Sequence, residues 1–169
     1  MRFTRRRESP LGTIILTADG TALTGLWFEG QRHAPDTSEA EADAALPVFD
    51  EAERWLDRYF SGQEPGDAPP LRPAGTPFQT AVWEILRTVP YGATVCYGEV
   101  ARKLERRSGR RVSARAVGGA VGRNPISLMI PCHRVVGANG ALTGYAGGLE
   151  RKRRLLDLER QAPEPPSGR

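Results

Sequence analysis

Cysteine is scarce: Cys96 and Cys132 are the two in a chain of 169 residues. That number excludes a disulfide framework and a four-cysteine metal site, and it suits a reducing cytoplasm. Long apolar runs are missing as well. The basic start, Met1 to Arg7, is followed only by Thr13-Ile14-Ile15-Leu16, too short for a signal-peptide core. No run approaches the roughly 18 to 20 residues of a membrane span. With 39% hydrophobic residues, 26% charged residues and a mean hydropathy of −0.44, a soluble, cytoplasmic globular protein is expected, of one domain or two small ones.

The net charge of +4 conceals two opposed halves. Residues 1–75 carry 8 Lys/Arg against 13 Asp/Glu, a net of −5, and residues 76–169 carry 16 against 7, a net of +9. Arginine clusters neutralise phosphates and release counterions, so the second half is where a polyanion would bind. Arginine supplies 22 of the 24 cations, however, and a composition rich in Arg, Gly, Ala and Pro would produce an excess without any partner.

The change of sign coincides with a boundary. Residues 61–75 hold Gly62, Pro65, Gly66, Pro69, Pro70, Pro73 and Gly75, which a helix or central strand does not tolerate, and they are expected to be a linker. Before it, Gly12 to Leu16 and Thr21 to Phe28 read as strands joined by an Asp19-Gly20 turn. A helix follows, with Ala45, Leu46, Phe49, Ala52, Leu56 and Phe60 on its apolar face. Nothing in this half, lone His33 included, reads as a chemical site. A Pro-rich tail at 163–169 is expected to be disordered.

The second half opens with Thr76, Pro77 and Gln79, a capping box with proline at the first helical position. Phe78, Val82, Ile85 and Leu86 form the apolar stripe. Tyr97 to Leu104 and Ser113 to Gly122 then read as two short helices joined by an arginine-rich connection, the pattern of a helix-turn-helix. The second of these has almost no bulk. Each interior glycine costs about 1 kcal/mol relative to alanine, so a run with Gly118 and Gly119 implies close approach, either to a neighbouring helix or to nucleic acid. Arg115 is the single long cation on it.

The buried run Ile126 to Ile130 ends at Pro131, which fixes an extended predecessor, and then Cys132, His133 and Arg134 follow. A cysteine at random is most often an inert buried hydrophobe. A neighbouring imidazole and guanidinium favour the reactive thiolate. Adjacent residues rarely bond directly, so a water relay from thiol to imidazole is the expected geometry, with a carboxylate orienting the histidine.

Pro131-Cys132-His133-Arg134-Val135-Val136, with Arg115-Ala116-Val117-Gly118 and Asn124-Pro125 before it and Leu142-Thr143-Gly144-Tyr145-Ala146-Gly147-Gly148 after it, resembles the O6-alkylguanine-DNA alkyltransferases. The resemblance spans about Thr76 to Glu159. It implies an α+β fold: a small N-terminal β-rich domain with a helix (1–75), and a mostly helical C-terminal domain (76–162) with a helix-turn-helix and a cysteine active site. It further implies stoichiometric, single-turnover transfer of the alkyl group from O6-alkylguanine in double-stranded DNA to Cys132, with O4-alkylthymine a further candidate substrate. His133 would be the water-linked base, Glu159 the carboxylate that orients it, and Asn124 the brace of the turn. Tyr97 and Arg115 would extrude the nucleotide, with Ala116 and Gly118 on the DNA-facing helix. Tyr145 and the backbone of Val135 and Ala146 would line the guanine pocket. Minor-groove binding as a monomer is implied, with cooperative binding on DNA a further option. Some family members hold zinc in the N-terminal half, but here that half lacks cysteine, so no metal and no cofactor are expected. The stretch from Leu104 to Val112 is longer than the family's usual link between these helices, and its Arg106, Arg107, Arg110 and Arg111 are candidate phosphate contacts.

Two rivals stay on the table at this stage. A non-catalytic helix-turn-helix protein recognising alkylated bases would need no nucleophile. A cysteine hydrolase would need an oxyanion hole and true turnover.

Overall fold

The computed structural model describes residues 3–42 and 45–161; the tail expected at 163–169 lies outside them. Strands β1 (Phe3–Arg7), β2 (Ile14–Ala18) and β3 (Leu23–Phe28) form an antiparallel meander, and β4 (Glu41–Ala42) adds parallel to β1 at the far edge. The Asp19-Gly20 turn forms as its residues dictate. Asp19 accepts from the Thr21 and Ala22 amides at 2.9 and 3.0 Å, while Gly20 takes a φ of 121°. Gly25 is required by its neighbours, because a Cβ there would lie 1.9 Å from the Trp27 ring.

Strand β1 was not expected from a run of three arginines. Its charge is absorbed by helix α1 (Pro47–Phe60), where Arg5 pairs with Asp50 and Glu53 and Arg7 with Asp57. On the opposite side of α1, Phe49, Ala52, Trp55, Leu56 and Tyr59 are buried. Ala45 stays exposed ahead of the helix, because Pro47 fixes the first helical position.

Residues 61–75 form neither helix nor named strand, yet they are no free tether. The Leu23 amide donates to Pro70 O at 2.9 Å and the Arg72 amide to Leu23 O at 2.7 Å. Farther along the same edge of β3, the Leu26 amide donates to Pro125 O and the Ser127 amide returns a bond to Leu26 O. The sheet edge thereby holds the segment that leads to Cys132.

Helix α2 (Pro77–Leu86) carries the expected capping box. Phe78 does not join its buried stripe and is 38% exposed; Trp83 enters the core instead, with its indole N–H donating to Ala120 O at 2.9 Å. After β5 (Val95–Cys96), helix α3 runs over Tyr97–Ser108, one turn beyond its expected end. Arg106 and Arg107 complement the negative end of that turn, and Gly109 closes it in the left-handed conformation. The connection to α4 (Ala114–Gly122) is therefore short and retains only Arg110 and Arg111. Ser113 caps α4. Strand β6 (Val135–Val136) pairs parallel with β5, and α5 (Leu149–Arg160) closes the chain. No helix among the described residues is long and apolar enough to cross a membrane.

Candidate active site

Cys132 opens a single 3-10 turn, Cys132–Arg134, behind Pro131. Asn124 braces the approach to it: its Nδ2 donates to Ile130 O at 2.8 Å and its Oδ1 accepts from the Ile126 amide at 3.0 Å. One buried side chain thus closes a loop of apolar residues, and the thiol follows that loop directly. Cys132 is 4% exposed and His133 fully buried.

Glu159, on the last turn of α5, is the hub of the site. Its Oε2 accepts from His133 Nε2 and from the Tyr59 hydroxyl at 2.8 Å; its Oε1 accepts from Arg134 Nε at 2.7 Å and the Gly92 amide at 3.0 Å. Burial alone would raise this carboxyl, but the bond and charge of His133, then Arg134 and the Gly92 amide, hold it down at about 2. With Nε2 committed to the carboxylate, the free lone pair of the imidazole is on Nδ1, which has no partner among the described residues. Burial pushes the imidazole below its usual value despite Glu159. The histidine is a neutral base at rest.

The thiol departs from the expectation that its neighbours would favour the thiolate. Burial pushes Cys132 up, and the Asn124 side chain and the Lys152 charge offset this only in part. Arg134 is spent on Glu159 and on Val89 O, so it does not serve the sulfur. Burial thus disfavours the charged form of both the thiol and the imidazole.

Lys152 carried no signal in the sequence. It is fully buried, and its Nζ donates to Val135 O at 2.6 Å, Thr143 O at 2.8 Å and Gly144 O at 3.4 Å. One ammonium ties the strand after the cysteine to the loop that carries Tyr145. Burial lowers it to about 8. Tyr59 was missed as well, because on α1 it reads as one more core aromatic; it stacks on Trp55 at 5.3 Å.

A cleft of about 280 Å³ opens above this network, lined by Tyr97, Gly118, Tyr145 and Ala146 together with Arg32 and His33. Cys132 lies outside its lining. Tyr145 spans the interval, with its hydroxyl buried and its pKa raised by burial and then by the Cys132 charge, Ser127 acting in the opposite sense. The structure brings together Cys132, His133, Glu159 and Asn124, and around the cleft Tyr97, Gly118, Tyr145 and Ala146. Val135 is buried with its carbonyl taken by Lys152, so it does not line the cleft. Arg115 is exposed on α4, and Ala116 borders a separate groove beside Phe78. His33, without a role in the sequence, stands at the cleft mouth with a φ of 62°. No group of three or more metal-binding side chains occurs among the described residues.

The arrangement, a buried Cys-His-Glu cluster together with a cleft lined in part by the glycines of α4, has counterparts. Residues 77–161 match the family model described as 6-O-methylguanine DNA methyltransferase, DNA binding domain, and residues 5–66 the one described as 6-O-methylguanine DNA methyltransferase, ribonuclease-like domain. The methylated-DNA–protein-cysteine methyltransferase of Haemophilus influenzae is 44% identical over 153 residues, covering 90% of this chain and 83% of that one. That of Mycobacterium leprae is 45% identical over 159 residues, covering 92% and 91%. The crystal structure of Mycobacterium tuberculosis OGT in complex with DNA superposes with a TM-score of 0.85 at 41% identity, over 95% of this chain and 94% of that one. With both halves matched at such identity, the chain belongs to the 6-O-methylguanine DNA methyltransferase family.

Proposed function

We propose that Cys132 is the acceptor in a direct-reversal repair reaction on O6-alkylguanine in duplex DNA. The protein is a DNA-repair methyltransferase that transfers an alkyl group to a cysteine of its own. The observation that carries the assignment to Cys132 is its position next to His133, whose Nε2 is held by Glu159 and whose Nδ1 is left available.

In this reading the thiol proton passes through a water to His133 Nδ1, and the imidazolium is stabilised by Glu159. The sulfur lone pair attacks the saturated alkyl carbon. The S–C bond forms as the C–O6 bond breaks, and the electron pair goes to the guanine oxygen. Guanine then takes up a proton, His133 returns to neutral, and a thioether remains. A thioether offers water no activated carbonyl, so the protein acts once.

The base must leave the stack to reach the thiol, at a cost of a few kcal/mol. Gly119 and Gly122 of α4 have no neighbour within 4 Å where a Cβ would stand. Packing within the chain therefore does not demand glycine there, and the smooth face is free to approach a minor groove. Tyr97 and Arg115 would drive extrusion, Tyr145 and Ala146 would hold the base, and the protein would act as a monomer. Residues 76–162 carry this chemistry, and residues 1–75 support it through Tyr59. Titrating the protein with a duplex containing O6-methylguanine and counting the guanines restored in the DNA per protein molecule tests the reading. One is expected; zero supports a non-catalytic binder, and many a turning-over enzyme.

A further inference from the structure

The mouth of the cleft is built by both halves of the chain. One side is the glycine face of α4, which ends at Arg123; the other is Arg32 and His33, on the turn after β3. Both arginines are exposed. Neither forms an ion pair with a carboxylate among the described residues; Arg5, Arg6, Arg7 and Arg72 of the same half are paired, while Arg54 and Arg58, like Arg32, are not, and neither of those lines the cleft.

The Arg32 turn is held at several points. Gln31 is buried; its Oε1 accepts from the Phe28 amide at 3.1 Å and its Nε2 donates to Ser127 Oγ at 3.3 Å. The Arg32 amide donates to Ala146 O at 3.1 Å, on the loop that lines the cleft. His33 next to it takes a left-handed conformation, with a φ of 62°, that is strained for a non-glycine residue. These ties fix the backbone of Arg32 to the cleft loop on one side and to the segment leading to Cys132 on the other.

We propose that Arg32 and Arg123 grip backbone phosphates on either side of the extruded nucleotide, so that the N-terminal half contacts DNA directly. The inference rests on the repair reading above. Residues 1–75 carry a net charge of −5 and repel a polyanion as a body. An unpaired guanidinium placed at the cleft mouth meets that polyanion where the two come closest, and its planar fork suits a phosphodiester. Facing arginines across the mouth would hold a strand whose base has swung inward.

The test uses Arg32→Gln, Arg123→Gln and the double variant in the full chain, with Arg32→Lys as the charge-preserving control. Three quantities are read: transfer from free O6-benzylguanine, transfer from a duplex containing O6-methylguanine, and the slope of log affinity against log salt on that duplex. Transfer from the free base should fall much less than transfer from the duplex in each Gln variant. Each Gln variant should flatten the salt slope by about 0.9, the double variant by about twice that, and Arg32→Lys should retain most of the wild-type slope. A wild-type slope in Arg32→Gln overturns the proposal. So does an equal loss on free base and duplex, which would make Arg32 a prop of the cleft. Wild-type protein that took no alkyl group from either substrate would instead refute the repair reading itself, a result separate from any effect of these substitutions.

Discussion

Tyr59 and Glu159 stand 100 residues apart in sequence and 2.8 Å apart in space, the phenol donating to the oxygen that also accepts from His133. Burial and then the Glu159 charge push the phenol well above its ordinary value, so it stays a donor. The helix of the N-terminal half therefore completes the hydrogen-bond shell of the carboxylate beneath the cysteine.

Tyr59→Phe removes one of four donors to Glu159 and leaves the Trp55 stack in place. A buried hydrogen bond to a charged group contributes about 1–3 kcal/mol, and chemical denaturation should read a loss of that size. His133 then no longer shares Oε2, so its titration, followed by NMR, should move to higher pH. An unchanged titration together with unchanged stability would make the contact incidental.

Acid should expose the same hub. Glu159 titrates at about 2 in the fold against an ordinary value of 4.5, so it is a carboxyl held low. Its contribution is complete above pH 4.5 and is lost as the pH falls towards 2; the shift corresponds to roughly 3 kcal/mol. Stability measured across this window should fall in the wild type and fall less steeply in Glu159→Gln. Parallel curves would contradict the assignment.

Lys152 gives a dependence of the same sign in an alkaline window, but from burial rather than from favourable partners. Its value is lowered from 10.5 to about 8, so the unfolded chain holds this proton more tightly, and stability should rise as the pH climbs between those values. Lys152→Met should lack that rise. It should also slow transfer from the free base, because the strand at Val135 and the loop at Thr143 and Gly144 lose the donor that joins them. Removing a buried charge offsets part of the cost of three unbonded carbonyls, so net stability should change by no more than about 2 kcal/mol.

Arg115 is exposed on α4 and takes no part in the Glu159 network. If it fills the vacated stack, Arg115→Ala should raise the barrier on duplex DNA by about 1–2 kcal/mol, roughly tenfold in single-turnover rate, through the cost of extrusion. Transfer from free O6-benzylguanine should keep its wild-type rate. Equal losses would place Arg115 in the architecture of the site.

What could be read from the sequence was local. The Asp19-Gly20 turn and the Thr76 capping box each act within a few residues, and each formed as its chemistry dictates. Contacts between distant segments could not be read. In strand β1, Arg5 and Arg7 meet carboxylates that α1 supplies 45 to 50 residues later, and Arg6 meets Glu29, 23 residues on. Tyr59 looks like any core aromatic until the fold brings α5 beside it. Lys152 sits in a run of charges with Arg151, Arg153 and Arg154, and nothing in that run marks it as the buried one. The protonation of Cys132 was misread for the same reason, since burial outweighs the charge of sequence neighbours that are bonded elsewhere.

The central claim is that one alkyl group ends on the sulfur of Cys132, and intact mass with peptide mapping after reaction with O6-methylguanine duplex tests it most directly. The account predicts a single added methyl on Cys132, one guanine restored in the duplex per protein molecule, and a Cys132→Ser protein that binds the duplex but gains no mass. A methyl on Cys96, or more guanines restored than protein molecules present, would contradict it.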